Sequence, residues 1–479
     1  MGDPLPGNTR DCLSRNMRDS STEKLPILWR TDSPLNQYDE ARCRVFNGRR
    51  PEHFPRAIVQ ATTLDHIVAA VRLAVESAAP VAVRSGGHSL SCWTMRHDAI
   101  LIDLKDFSYL SYDEETHQVQ ASPSTLTGEL LEFLAQKQRF FPVGHSGGIG
   151  LGGYLLQAGI GLNCRGYGYA CESVSGIDIV TADGCIKHCD KEENADLYWA
   201  ARGAGPEFPA IVTRFYLETR PMPVCNRSTY IWPATMYDQV FPWLDRVSSS
   251  CPCPQPSSRG FKLLTTLDEN VEVGVFGFTV PQLNQPGLHV LATAFGDSDE
   301  DTRRMLTPFI DTHPPGAIHA QDFVATDFAS DYVLDKTVLP QGARYFTDSV
   351  FLKPGTDLVV ACKDMFTGLK HPRALAYWQP MKTATARTLP DMAMSIHSDH
   401  YVSLLGIYDD SAQDDEQTSW IVDYMRKLEP FVLGTFVGDA HVLERPSNYW
   451  SEEAKERVLR VGKKWDPSGR IRGMLLSDS

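Results

Sequence analysis

The stretch Val81-Ala82-Val83-Arg84-Ser85-Gly86-Gly87-His88-Ser89 runs a short apolar strand straight into a glycine pair and a histidine. Glycines at that point let the backbone approach a ligand without a Cβ in the way. The exposed N–H groups of such a turn form a concavity for anions, pyrophosphate included, and Arg84 offers added positive charge. Taken alone, a Gly-Gly-His tripeptide reads as a tight turn with a surface histidine. A second glycine-dense loop changes that reading: Gly144-His145-Ser146-Gly147-Gly148-Ile149-Gly150-Leu151-Gly152-Gly153. Gly148, Gly150 and Gly153 match G-x-G-x-x-G, and Glu172 stands near the offset of a ribose-binding acid. The dinucleotide reading fails on context. The motif follows a long helix and Phe140-Phe141-Pro142 rather than a clean strand, and Gly159, Gly161 and Gly166 break the helix it should open.

Outward from these loops, Ala57 to Ala78 carries apolar residues at helical spacing, including Ile67, Ala70, Val71 and Ala74. Ile100–Leu104 and Gln118–Ala121 read as strands, Thr127–Gln138 as a helix, Ile177–Gly184 as a strand and turn, Asp196–Arg202 as a short helix and Ile211–Tyr216 as a strand. Composition shifts at Pro221-Met222-Pro223. Beyond it, Cys251-Pro252-Cys253-Pro254-Gln255-Pro256 reads as a loop, and Val271–Val280, Ala374–Gln379 and Met394–Ile407 as strands. The tail holds a helix capped by Ser451, with Glu452 and Glu453 in its first turn and Lys463 and Lys464 in its last, the charge order that suits a helix dipole.

A chain of 479 residues exceeds one compact core. With 46 basic against 60 acidic residues, the formal charge of −14 argues against nucleic acid or an anionic membrane surface as partner. The first thirty residues carry no signal-peptide core and no window is apolar enough to span a membrane, so the cytoplasm is the expected compartment. The 11 cysteines are odd in number and scattered. Cys185/Cys189 and Cys251/Cys253 lack a second Cys/His pair at zinc-site spacing, so buried thiols and no metal are expected.

The two loops together, at this spacing, resemble the FAD-linked oxidases of the vanillyl-alcohol-oxidase and p-cresol-methylhydroxylase (PCMH) superfamily, in the branch of berberine bridge enzyme and 6-hydroxynicotine oxidase. Further matches are Gly159-Ile160-Gly161, Arg165-Gly166-Tyr167-Gly168, Asp196-Leu197-Tyr198-Trp199-Ala200-Ala201-Arg202-Gly203 and Ile211-Val212-Thr213-Arg214-Phe215. The resemblance covers about half the chain, from Pro55 to Pro223 and again in the tail. It implies an α+β fold: a two-part FAD-binding domain of PCMH type (55–223, completed by 437–479), an inserted α+β substrate domain (224–436) and an N-terminal extension (1–54). It implies covalent FAD, bonded at its 8α-methyl to His88. It puts Arg84, Ser85, Gly86, Gly87, Ser89, Gly144, Ser146, Gly150, Gly152, Gly153, Gly159, Ile211, Val212 and Asn448 around the cofactor.

Two departures matter. Bicovalent members carry a Cys where this chain has Ser146, and serine cannot form the thioether, so one flavin bond is expected. The catalytic Tyr of a C-terminal Y-x-N is also missing: Gly438–Glu444 holds His441, and Pro446-Ser447-Asn448-Tyr449 has Asn and Tyr in reversed order. A proton acceptor is therefore sought on the strand read at Met394–Leu404, whose polar face is Ser395, His397, Asp399, Tyr401 and Ser403. That face also suits plain exposure to solvent. His397 and Tyr401 are the leading candidates for the base and His441 the reserve. The expected reaction is oxidation of a small alcohol, amine or secondary metabolite, with molecular oxygen as electron acceptor. A flavin dehydrogenase, or a flavin-binding cyclase without net redox chemistry, stays open.

Overall fold

The computed structural model describes residues 25–248, 267–280, 285–326, 328–381, 387–441, 444–471 and 473. The loop expected at Cys251–Pro256 and the last residues of the tail lie outside the described residues.

Strands β1 (Ile27–Trp29), β2 (Ala57–Gln60), β3 (Val81–Arg84) and β4 (Ile100–Asp103) form a sheet ordered β1-β2-β4-β3. β2 and β3 both run parallel to β4, and β1 closes the edge antiparallel. Ile100-Leu101-Ile102-Asp103 is buried at every position, as a parallel strand covered on both faces must be. The helix Leu64–Glu76 is the crossover, and its stripe Ile67, Ala70, Val71 and Ala74 packs against Ala57, Val59, Val81 and Ile102. The helical spacing read from Ala57 onward thus begins with a strand. The helix starts only where Thr63 caps it by accepting from the His66 N–H.

β5 (Leu110–Tyr112), β6 (Gln118–Ala121), β8 (Val174–Thr181), β9 (Ile186–Cys189) and β10 (Ala210–Glu218) make a second sheet, ordered β5-β6-β10-β8-β9. β7 (Arg139–Phe140) and β11 (Arg220–Pro221) pair as a short ribbon beside it. The tail comes back to this half. Ser451 caps the helix Glu452–Trp465, whose Ala454, Val458 and Val461 join the same core as Trp199. Lys464 and the Trp465 indole both reach Asp196, Arg457 lies over the Trp199 ring, and Ile471 bridges to Val81 at the edge of β3.

The third sheet has eight strands in the order β15-β12-β14-β13-β17-β18-β16-β19. They are β12 (Val224–Pro233), β13 (Val271–Val280), β14 (Gln285–Gly296), β15 (His319–Ala325), β16 (Arg344–Leu352), β17 (Leu375–Pro380), β18 (His400–Tyr408) and β19 (Val432–Gly434). Alternation decides its two faces. Ala376, Trp378, Val402, Leu404 and Val350 pack into a core with residues of the helices Tyr237–Ser248, Asp299–Ile310 and Asp414–Leu428. Leu375, Tyr377, Gln379, Tyr401, Ser403 and Leu405 face the other way, toward the first two sheets. The mixed α+β architecture is the one expected.

One strand boundary differs from expectation. β18 begins at His400, not Met394. The backbone N–H groups of Ala393 and Met394 donate to the carbonyls of Trp199 and Arg202, which holds that stretch against the helix end instead of in the sheet. None of the eight cysteines among the described residues is joined in a disulfide. Among the same residues, no helix is long and apolar enough to cross a membrane.

Candidate active site

A cavity of about 600 Å³ lies between the two glycine loops and the open face of the third sheet. That is within the ordinary range for a small-molecule or cofactor site. The loops cross back to back. A Cβ on Gly86 would come 2.6 Å from the Gly150 backbone nitrogen, and one on Gly150 would come 2.6 Å from that of Gly86. Gly87 sits at φ +69°, where side chains are strained. Gly153, by contrast, has open space where its Cβ would be, and it lines the cavity.

Of the residues expected around the cofactor, Ser85, Gly86, Gly87, His88, Ser89, Gly144, Ser146, Gly150, Gly152, Gly153, Ile211 and Val212 line this cavity. Three do not. Arg84 is fully buried beneath the first loop, 2.7 Å from Asp103 and 2.6 Å from the Ala41 carbonyl, so its charge is spent on an internal pair. Gly159 forms a turn at φ +76° beside Tyr154. Asn448 is exposed, and its carbonyl accepts from the Thr435 N–H. For Arg84 the physical reason is its internal ion pair, because a buried guanidinium must find an opposite charge within the fold.

His88 is half-buried with its Nε2 covered, that nitrogen has no hydrogen-bond partner among the described residues, and desolvation pulls its pKa down to about 4. It is therefore a neutral imidazole with a lone pair. A backbone cradle kept open by glycines, beside a buried and orphaned ring nitrogen, fits FAD.

The acid–base candidates separate clearly. Tyr401 lines the cavity and donates to Asp439 Oδ2. Burial first, then the Asp439 charge, raises the phenol well above its ordinary value. Asp439 also lines the cavity, and its own burial raises its carboxyl despite the Tyr401 hydrogen bond. Tyr377 stands T-shaped to Tyr401 at 6.2 Å and donates to Gln379 Oε1 at 3.2 Å. Register explains the cluster: Tyr377 pairs with Ser403 and Gln379 with Tyr401, so all four share one face. His397 precedes the strand and lies off the cavity, as do Ser395 and Asp399. His441 also lies off it, with its ring tilted against Phe346 at 5.1 Å. Burial lowers the pKa of both histidines.

Sequence reading missed Asp439, Gln379 and the pair His145–Glu272. His145 Nε2 lies 2.9 Å from Glu272 Oε1, and Glu272 Oε2 accepts from the Asn163 N–H at 2.7 Å. Burial works against protonation of His145, but the Glu272 charge and hydrogen bond outweigh it and hold its pKa above the ordinary value. Each partner comes from a different element, so no local spacing announced them. Phe276, Leu339, Leu375, Leu405, Phe436 and Ile160 give the cavity an apolar stretch of wall.

A family profile described as an FAD binding domain matches residues 55–190. The chain is 68% identical over 464 residues to FAD-linked oxidoreductase nodO of Hypoxylon pulicicidum, covering 97% of this chain and 100% of that one. This chain belongs to the FAD-linked oxidoreductases. The fold of this FAD-linked oxidoreductase matches that of Physcomitrella patens BBE-like 1 with a TM-score of 0.79, at 16% identity over 98% of this chain and 99% of that one. It also matches 6-hydroxy-D-nicotine oxidase of Arthrobacter nicotinovorans with a TM-score of 0.76, at 17% identity over 95% and 98%. The oxidoreductase thus has the PCMH-type fold of the berberine-bridge-enzyme-like branch, and its cofactor is FAD.

Proposed function

We propose that this oxidoreductase holds FAD through a single bond to His88 and oxidises a small organic alcohol or amine. In this reading Tyr401 and Asp439 remove the O–H or N–H proton, and molecular oxygen accepts the electrons. The observation that carries it is the Tyr401–Asp439 hydrogen bond within the cavity wall, opposite the two loops.

FAD, when bound, supplies acceptance of two electrons from a substrate C–H. The chain's own groups do the rest. Ser85 to Ser89 and Gly144 to Gly153 would hold the cofactor along a backbone wall kept open by glycines, and His88 would anchor it. A phenol held above its ordinary pKa does not ionise on its own. Tyr401 Oη instead takes the substrate proton as its own proton passes to Asp439 Oδ2, so no free phenolate forms. Asp439, a carboxylate whose burial strengthens its basicity, ends as the neutral acid. Gln379 and Ser403 offer hydrogen bonds to orient the substrate oxygen or nitrogen. The apolar wall excludes water and receives the carbon skeleton. Oxygen as acceptor is supported by the oxidase named among the structural neighbours.

The test is anaerobic mixing of the holoenzyme with panels of alcohols and amines, followed by admission of air. Bleaching of the flavin by a panel member and rapid recovery in air are expected. Bleaching without recovery in air would overturn the oxidase assignment. Turnover of a substrate without bleaching would point to the non-redox cyclase.

A further inference from the structure

The segment just ahead of the matched domain reaches into the cavity. Arg44 to Arg49 runs as a strap between the first glycine loop and the third sheet. The Phe46 N–H donates to the Gly87 carbonyl at 2.8 Å, and the Phe46 carbonyl accepts from Gly342 at 2.9 Å. The Gly48 N–H donates to Ala343 at 2.7 Å. Asn47 fastens both sides: its Nδ2 donates to the carbonyls of Leu90 (2.6 Å) and Tyr345 (3.0 Å), and its Oδ1 accepts from the Tyr345 N–H (2.9 Å). The strap is thus fixed to the loop that carries His88 and to strand β16 at once.

What this fixation delivers is a ring. Phe46 stacks on the His88 imidazole with centroids 4.1 Å apart and planes inclined by 20°, and it leans on Tyr345 at 5.2 Å. The imidazole also abuts Gly148, whose built Cβ would lie 3.5 Å from His88 Cδ2. A histidine ring has a broad, soft rotation about its second side-chain torsion. Packing against a fixed aromatic face selects one plane. His88 makes no hydrogen bond through Nε2 among the described residues, so packing is what holds that end of the ring.

We propose that Phe46 is the positioning residue for attachment of FAD, holding the His88 imidazole in the plane from which a ring nitrogen meets the 8α-methyl carbon. This rests on the reading of His88 as the attachment point. The new bond joins that nitrogen to the methyl carbon, and a methyl C–H bond breaks. The methyl hydrogen and the imidazole N–H hydrogen leave the flavin reduced by two electrons, and molecular oxygen removes both as hydrogen peroxide. Burial keeps the imidazole neutral and so able to offer its lone pair. Misplacing a reacting group by about 1 Å can cost on the order of a hundred-fold in rate.

The experiment uses full-length apoprotein from a riboflavin-starved host, mixed with FAD in air. Acid-stable flavin in the precipitate is followed over time for the parent, Phe46→Tyr and Phe46→Leu. The parent and Phe46→Tyr should attach FAD at similar rates. Phe46→Leu, which keeps apolar bulk but loses the flat face, should attach it at least about ten-fold more slowly. FAD affinity in the His88→Asn background, which cannot form the bond, separates positioning from general structure: there Phe46→Leu should leave affinity within two-fold. A larger loss of affinity there would make Phe46 merely structural and overturn the proposal. Equal attachment rates in all three proteins would overturn it while leaving the His88 assignment intact. Fully acid-released flavin from the parent would overturn the His88 assignment and this proposal with it. Should Phe46→Leu fail to fold, Phe46→Met and Phe46→Ile are read by the same two measurements.

Discussion

The Tyr401 phenol donates its hydrogen to the carboxylate of Asp439, 38 positions further along the chain. Tyr401 comes from strand β18 and is buried, and Asp439 comes from the single turn Val437–Asp439 and is half-buried. In the proposed mechanism this pair is a proton path that ends at Asp439. Burial makes the phenol reluctant to ionise and makes the carboxylate eager to accept, so the proton is drawn through the phenol rather than left on it.

Removing either end should slow the reductive step and spare flavin binding. Tyr401→Phe and Asp439→Asn are each expected to lower the anaerobic rate of flavin reduction by about 10²–10⁴. The double variant should be no slower than the slower single one, because both changes break one path. Stopped-flow reduction with a confirmed substrate reads this directly. His397→Ala and His441→Ala should stay near the parent rate, since neither ring reaches the cavity.

The same pair sets a pH dependence. Asp439 must be ionised to accept the proton, and its carboxyl titrates above the ordinary value of 3.8. The reduction rate is therefore expected to fall as pH drops through that raised value and to level off above it. In Asp439→Asn this acid limb should vanish along with most of the rate. A limb that survives unchanged in the Asn variant would place the titrating group elsewhere.

Two glycines in the same loops should fail in different ways. Gly86→Ala puts a methyl 2.6 Å from the Gly150 backbone nitrogen, with backbone on both sides unable to yield. A loss of about 1–3 kcal/mol or more in apoprotein stability is expected, visible as a lower Tm without any flavin present. Gly153→Ala meets nothing within 4 Å and should leave the apoprotein Tm unchanged. Its methyl projects into the cavity, so FAD affinity should drop instead. Calorimetry of the apoprotein and FAD titration together distinguish the two.

Arg84 should behave as a structural residue. Its guanidinium and the Asp103 carboxylate are 1% and 2% exposed, and they also hold the Ala41 and Arg42 carbonyls and the Lys105 N–H. Breaking such a buried pair typically costs about 3–5 kcal/mol. Arg84→Met should lower the denaturation midpoint of the apoprotein by a matching amount. If it weakened FAD binding and left stability alone, the side chain would belong to the cofactor after all.

How much of this was legible beforehand depends on the range of the interaction. Ile100–Asp103 and the helix Leu64–Glu76 follow from apolar pattern, and the tail helix from Ser451 and its charged turns, because propensity and capping act within a few residues. The glycine loops, and the histidine that ends the first of them, are contiguous strings, so their resemblance to the FAD-linked oxidases is visible in the chain alone. Even there, Arg84 went to an internal partner, Asp103, that no string displays. Met394 shows the limit for a strand boundary: alternation continued the pattern, but two hydrogen bonds to Trp199 and Arg202 drew the backbone out of the sheet. Asp439, Glu272 and Phe46 were beyond sequence altogether. Each meets its partner, Tyr401, His145 or His88, across 38, 127 or 42 positions. The order of strands and the crossing of loops bring such pairs together, and side-chain chemistry at a few ångströms is decided only once the whole chain has closed.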